Sequence, residues 1–532
     1  MTLISRRRIL QATFWAGPVC LGAAAADSVP VASGKSASAE VVEWGAREAA
    51  RRIRQGDIKA EDYFARLIRQ CNEHRYLNAI ASLDAARMLE TAREIDRARN
   101  RGEKLGAAAG VAVAVKDQIA VAGYPAASGN PALKSYRPAR SAAVVEALVR
   151  AGAVPFAKTT CPNMTGNSNL MSQADSYSPA YGVVRNPYAP DRMAGGSSGG
   201  SGVVLAARMV PAALGEDTNG SVRVPAAFCG VAALRPSTYT IENALKGTRH
   251  KRYSDDGFII DATRLDTIGP MARTVEDVAF LDELVTGERA PEVDIKDVRI
   301  AIPRADYWDQ EWVDPRVATV TQVAFARLRE AGAHLVEIDY LGLRATVGDL
   351  GRLSDMALAA QQLNVEPDAP DNVAKWLAAY MPQVTVAEFN GVPVANKPRD
   401  FWHPLRLSPD QQHQLLSESE RKYQDLFRSY NVGAIAAPTV PVLPQILTPG
   451  GPTDFETTDV KGRTFDRASL IITQSVIAPR YGAPGLSLPI GLADGLPVGL
   501  ELDGLPGHDS KILGLGIALE RVFGPLPPPR MS

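Results

Sequence analysis

The run Gly195-Gly196-Ser197-Ser198-Gly199-Gly200-Ser201-Gly202 constrains this chain more than any other segment. By composition it reads as a flexible linker, but its position contradicts that reading. It lies mid-chain between strongly apolar segments and leads directly into an apolar helical stretch, residues 203–209. Repeated glycine there permits backbone shapes that a Cβ forbids, as a close-packed catalytic loop requires. The flanking pattern alternates between helix and strand. Residues 110–116, Gly-Val-Ala-Val-Ala-Val-Lys, predict a buried strand that delivers Lys116 at its end. A helix is expected at 141–151 and a strand at 154–158, so the class is α/β with a mixed or parallel sheet.

Elsewhere the pattern is equally ordered. Residues 40–101 carry apolar positions at helical spacing, such as Tyr63, Phe64, Leu67 and Ile68, and predict two or three amphipathic helices. After Gly215 a second polar loop, Glu216-Asp217-Thr218-Asn219-Gly220-Ser221, enters another helix. Residues 291–465 mix both periods, strands are expected at 485–489 and 498–502, and a helix at 512–522. The chain has 532 residues, 45% of them apolar, with 58 Lys and Arg against 59 Asp and Glu. That is enough to bury a large core, and the charge balance excludes compositional disorder and a polybasic nucleic-acid binder.

The N-terminus reads as an address. Arg6, Arg7 and Arg8 precede a short apolar stretch broken by Gly17 and Pro18, then Ala23-Ala24-Ala25-Ala26. This pattern resembles a twin-arginine signal peptide over residues 1–26, too short to span a bilayer. A linker is expected at 27–39, one large domain at 40–525 and a fraying tail at 526–532. The expected location is periplasmic or secreted, without stable membrane insertion after cleavage. Cys71, Cys161 and Cys229 remain in the mature chain, an odd number at wide spacing that gives no disulfide framework.

The six histidines show neither HExxH nor close pairing, so no metal is expected. No P-loop or GxGxxG is present, so dinucleotide binding has no support. Residues 195–199 and 196–200 match the GxSxG nucleophile elbow of an esterase, which would recruit Asp503 and His508. A different chemistry needs fewer assumptions. A serine hydroxyl becomes a nucleophile once a base takes its proton, and a lysine held neutral by desolvation can be that base. Lys116 is placed for this role, with a second serine as relay, so activity is expected to rise on the alkaline side.

These residues carry a family likeness. The loop GGSSGGSG at 195–202, DTNGSVRVPAAFCGV at 217–231, VAVAVKDQI around Lys116, GPMARTVEDVAFLD and GAPGLSLPIGLADGLPVGLELDG resemble the amidase signature family over nearly the whole mature chain. The resemblance implies one large domain with a central mixed β-sheet surrounded by helices. It implies Ser221 as the acyl-forming nucleophile, Ser197 as a bridging serine after a cis peptide, and Lys116 as the base. The backbone N–H groups of Thr218, Asn219, Gly220 and Ser221 would form the oxyanion hole, with Ser198 and Asp217 as supports. No cofactor or metal is implied. The partner is a small amide, a homodimer is left open, and a tRNA-dependent role does not suit export.

Three departures bear on pocket shape: Asn219 and Ala233 stand where Gly is usual, and Cys161-Pro162-Asn163-Met164 lacks an acidic residue. The stretch from Arg252 to Thr267 is most similar to the mandelamide and indoleacetamide hydrolase branch. An aryl or arylalkyl amide is therefore the expected substrate. A non-catalytic binding protein on the same fold is the third reading.

Overall fold

The computed structural model describes residues 39–162, 177–238, 251–254, 257, 266–352, 409–447 and 457–531. The expected signal peptide and all but the last residue of the linker lie outside them. So do residues 353–408, part of the segment 291–465 that mixes helical and strand periods.

Three helices open the domain: Ala46–Gln55, Ala60–Glu73 and Ala85–Asn100. Each shows why it forms. Ala46, Ala49, Ala50 and Ile53 line one buried face of the first, and Tyr63, Phe64, Leu67 and Cys71 line the second. Asp84 caps the third by accepting the Arg87 N–H.

The strands are β1 Ile80–Ser82, β2 Ala112–Lys116, β3 Val154–Thr159, β4 Tyr177–Ser178, β5 Gly182–Val183, β6 Ala212–Asp217, β7 Ala232–Arg235, β8 Thr267–Ala272, β9 Arg299–Pro303, β10 His334–Ile338, β11 Ala434–Pro438, β12 Thr457–Val460, β13 Arg463–Asp466, β14 Gly485–Ala493 and β15 Leu496–Asp503. Eleven form one sheet in the order β1-β3-β2-β6-β8-β7-β14-β15-β11-β9-β10. It is mixed: β2 runs parallel to β3 and β6, and β9 parallel to β10 and β11, while β6, β8, β7, β14 and β15 alternate in direction.

Alternation along the strands builds the two faces. Leu486, Leu488, Leu500 and Leu502 pack under the helices Val275–Thr286, Pro315–Glu330 and Asp509–Phe523. Each such leucine taken out of water contributes about 1.5–3 kcal/mol. Between them Glu501 faces the opposite side, toward the helix Arg223–Cys229. A second cluster is aromatic, with Tyr423 stacked on Tyr481 at 4.0 Å between ring centres.

Two local readings are corrected. The Gly/Ser run is half helix: Gly199–Ala206 begins inside it, rather than at residue 203. A Cβ on Gly200 would lie 2.5 Å from the Thr160 carbonyl and 2.6 Å from that of Ala79, so glycine lets this helix settle against two backbones. Glu216 and Asp217 are the last residues of β6, in the middle of the sheet and fully buried, rather than part of a polar loop. At the C-terminus the Tyr188 hydroxyl donates to the Pro527 carbonyl at 3.0 Å, and Pro529 is buried. Among the described residues, no helix is long and apolar enough to cross a membrane.

Candidate active site

The register of the parallel pair β2 and β6, Val115 opposite Leu214, carries Lys116 and Glu216 to the same C-terminal end of these interior strands. There the Lys116 Nζ donates to Ser197 Oγ at 2.7 Å and to Glu216 Oε2 at 3.0 Å. All three side chains are fully buried. The Gly196–Ser197 peptide is cis, as the resemblance implied.

Ser198 joins the two loops. Its N–H donates to the Ser221 carbonyl at 3.0 Å, and its hydroxyl donates to the Glu216 carbonyl at 3.1 Å while accepting the Glu216 N–H at 3.2 Å. Ser221 is thus tied to the site through its backbone. Among the described residues no hydrogen bond runs directly between the Ser197 and Ser221 hydroxyls. Thr218 Oγ1 lies 2.9 Å from Glu216 Oε1 and 2.8 Å from Asp266 Oδ1.

Adjacent residues on a strand point to opposite faces, and here the two carboxylates take different partners. Asp217 turns to Arg223, which grips it through Nε at 3.0 Å and Nη2 at 2.9 Å, and to Arg235 Nη1 at 3.2 Å. Burial would raise this carboxyl, but the Arg223 and Arg235 charges outweigh it and hold it well below the usual carboxylate range. Arg223 also pairs with Glu501 and donates to the Ser475 carbonyl at 2.7 Å. Burial pulls the Arg235 guanidinium down to about 10.

The ionised Asp217 organises the loop that follows it. Its oxygens accept the N–H of Gly220 at 2.9 Å and of Val222 at 3.2 Å. Of the four amides expected in an oxyanion hole, Gly220's is therefore already engaged, and those of Thr218, Asn219 and Ser221 are not taken up by Asp217. Gly220 sits at φ +115°, and a Cβ there would fall 2.1 Å from Ser475 Oγ, so no other residue fits the turn. Ser475 fixes the same loop by donating to the Asn219 carbonyl at 2.7 Å. The Asn219 side chain accepts from Arg480 at 3.3 Å, the contact its departure from Gly introduces.

The geometry separates the alternative catalytic sets. Asp503 is buried beside Glu501 on β15, and His508 lines an open cleft of about 930 Å³ with Arg252, Arg428 and Asp509. Neither forms a hydrogen bond to Ser197 or Ser198, so the esterase elbow lacks its base. Of the stretch used to place the branch, Arg252 pairs with Asp282 at 2.5 Å and Glu288 at 2.9 Å, while residues 255–256 and 258–265 lie outside the described ones.

A model of the family described as Amidase matches residues 62–513. The chain belongs to the amidase family. It is similar to mandelamide hydrolase of Pseudomonas putida, 31% identical over 428 residues that cover 75% of this chain and 76% of that protein. Indoleacetamide hydrolase of Agrobacterium vitis is 30% identical over 407 residues, covering 74% and 79%. A solved amidase structure superposes with a TM-score of 0.70 at 25% identity, covering 90% of this chain and all of that one. The protein is thus an amidohydrolase of the amidase family, and the reading as a non-catalytic binding protein is set aside.

Sequence reasoning missed Glu216, Arg223, Arg235, Asp266, Ser475 and Arg480. Charged residues inside apolar runs were the available signal: Arg223 in SVRVPAAF and Glu501 in VGLELDG. In a buried segment such charges must pair.

Proposed function

We propose that this amidase hydrolyses an aryl or arylalkyl amide to the carboxylic acid and ammonia or an amine, through an acyl-enzyme on Ser221, after export to the periplasm. The observation that carries the reading is the buried contact of Lys116 Nζ with Ser197 Oγ at 2.7 Å, in a loop bonded to Ser221.

The Lys116 amine draws the Ser197 proton as Ser197 takes that of Ser221. Ser221 Oγ then forms a bond to the amide carbon. The carbonyl electron pair moves to oxygen, where the amides of Thr218, Asn219 and Ser221 receive it in a water-poor site. Collapse breaks the C–N bond, and the leaving amine takes the proton back through Ser197. Water then repeats the sequence in the second half and releases the acid. Catalytic hydrogen bonds of this kind tighten when substrate is seated, which supplies the Ser197–Ser221 step.

The substrate class rests on similarity to proteins named for mandelamide and indoleacetamide. Export rests on the sequence of residues 1–26. Ammonia and amine release across aryl, arylalkyl, aliphatic and anilide amides, with Ser221→Ala alongside, tests the chemistry and ranks the substrates. Turnover best on aryl or arylalkyl amides and lost in Ser221→Ala is expected. Turnover retained by Ser221→Ala, or confined to aliphatic amides, contradicts it. Replacing Arg6 and Arg7 by Lys should leave an unprocessed precursor in the cytoplasm, whereas processed periplasmic protein would refute the signal.

A further inference from the structure

The proposed base has a second partner. A lysine whose only neighbour were Ser197 would have its nitrogen positioned by one hydrogen bond and its charge met by nothing. Here Glu216 Oε2 lies 3.0 Å from the same Nζ, both side chains are fully shielded from water, and the carboxylate's other oxygen is held at 2.9 Å by Thr218 Oγ1. The Glu216 backbone is pinned on both its N–H and its carbonyl by the Ser198 hydroxyl. These bonds aim one carboxylate oxygen at the nitrogen that must gain and lose a proton.

We infer that Glu216 is a positioning residue for the Lys116 base: it accepts one Nζ hydrogen, aims the nitrogen at Ser197, and stabilises the ammonium formed when Lys116 takes the proton. This rests on the reading of Lys116 as base. The balance is simple. The Ser221 O–H bond breaks and an Nζ–H bond forms through Ser197. Its part matches the third group of any nucleophile–base–orienter set, in which a buried carboxylate fixes the base and meets its charge without being protonated.

Other groups near the lysine do not substitute for it. Asp217 on the same strand is committed to Arg223 and Arg235. Thr218 Oγ1 lies between Asp266 Oδ1 and Glu216 Oε1, at 2.8 and 2.9 Å. From the adjoining segments, Asp117 accepts the Gly129 N–H, Lys158 donates to backbone carbonyls, and burial pushes the Cys161 thiol up to about 12.

Glu216→Gln keeps the shape and removes the charge. Without the counter-charge the ammonium is less favoured and the amine is a weaker base. The expected result is a fall in kcat of about 10- to 100-fold, KM within about twofold, and the acidic limb of the kcat–pH profile moved to lower pH. Glu216→Asp, which restores the charge on a shorter arm, should recover part of kcat with the limb near its original position. An unchanged kcat and limb in Glu216→Gln overturns the inference. So does a loss of kcat with the limb unmoved, the pattern of a merely structural residue. If Lys116→Ala and Ser221→Ala both retain activity, the reading of the base itself has failed. If both abolish it while Glu216→Gln behaves as wild type, only this inference has failed.

Discussion

Two buried lysines lie in the last two residues of adjacent parallel strands, and they live in different surroundings. Lys116 closes β2 and meets side chains, Ser197 and Glu216. Lys158 on β3, paired in register with Val115, makes its hydrogen bonds to backbone: its Nζ donates to the carbonyls of Asp117, Ile119 and Pro125 at 3.2, 2.6 and 3.1 Å, and the Asp117 carboxylate meets its charge without a hydrogen bond between the two side chains. Burial is complete in both cases, so burial alone does not make a base. A lysine tied to carbonyls braces the loop after β2, because carbonyls exchange no proton. A lysine between a hydroxyl and a carboxylate has a route for one.

The largest effect that distinguishes the pair is catalytic. Lys116→Ala should lower kcat by about 10³- to 10⁴-fold with the fold intact by circular dichroism, whereas Lys158→Met should lower it far less. Comparable losses in both would collapse the distinction.

Stability should fall for Lys158→Met as well. It leaves three carbonyls without their donor, at about 1–3 kcal/mol for each that stays unsatisfied, and should lower the urea midpoint. An unchanged midpoint would show that Lys158 braces nothing.

The pH dependence of that stability sharpens the contrast. Burial pulls the Lys158 ammonium from 10.5 down to about 8. Between those values the unfolded chain holds the proton and the folded chain does not, so this group's contribution raises stability as pH climbs from about 8 to 10.5. The difference between wild type and Lys158→Met should therefore change across that window, on the order of 3 kcal/mol in all. A difference flat with pH would place the proton elsewhere.

The smallest effect concerns Cys161, which is fully buried near both lysines. Burial pushes its thiol up to about 12, so iodoacetamide at pH 8 should leave the activity of the folded enzyme unchanged. Rapid inactivation with label on Cys161 would show an open path to the site.

Much of this arrangement was legible beforehand because it rests on local patterns. The Val/Ala alternation before Lys116 predicted a buried strand, and β2 is one. The glycines of residues 195–202 predicted a tight loop, and the structure adds that their second half is helical. Glu216 was not legible, since a polar residue followed by Asp-Thr-Asn-Gly reads as loop. Only the pairing of β6 between β2 and β8 places it in a buried strand end beside Lys116. The cluster of Arg223, Arg235 and Glu501 depends on contacts across as many as 278 residues, which no local period encodes.

The central claim is that Lys116 acts through Ser197 to make Ser221 the acyl carrier. Rapid acid quench of wild-type enzyme turning over an aryl amide, followed by peptide mass spectrometry, tests it most directly. Acyl mass is expected on the peptide bearing Ser221, absent from Ser221→Ala and strongly depleted in Lys116→Ala. An acyl group on Ser197 or Ser198, or undiminished acylation in Lys116→Ala, would contradict it.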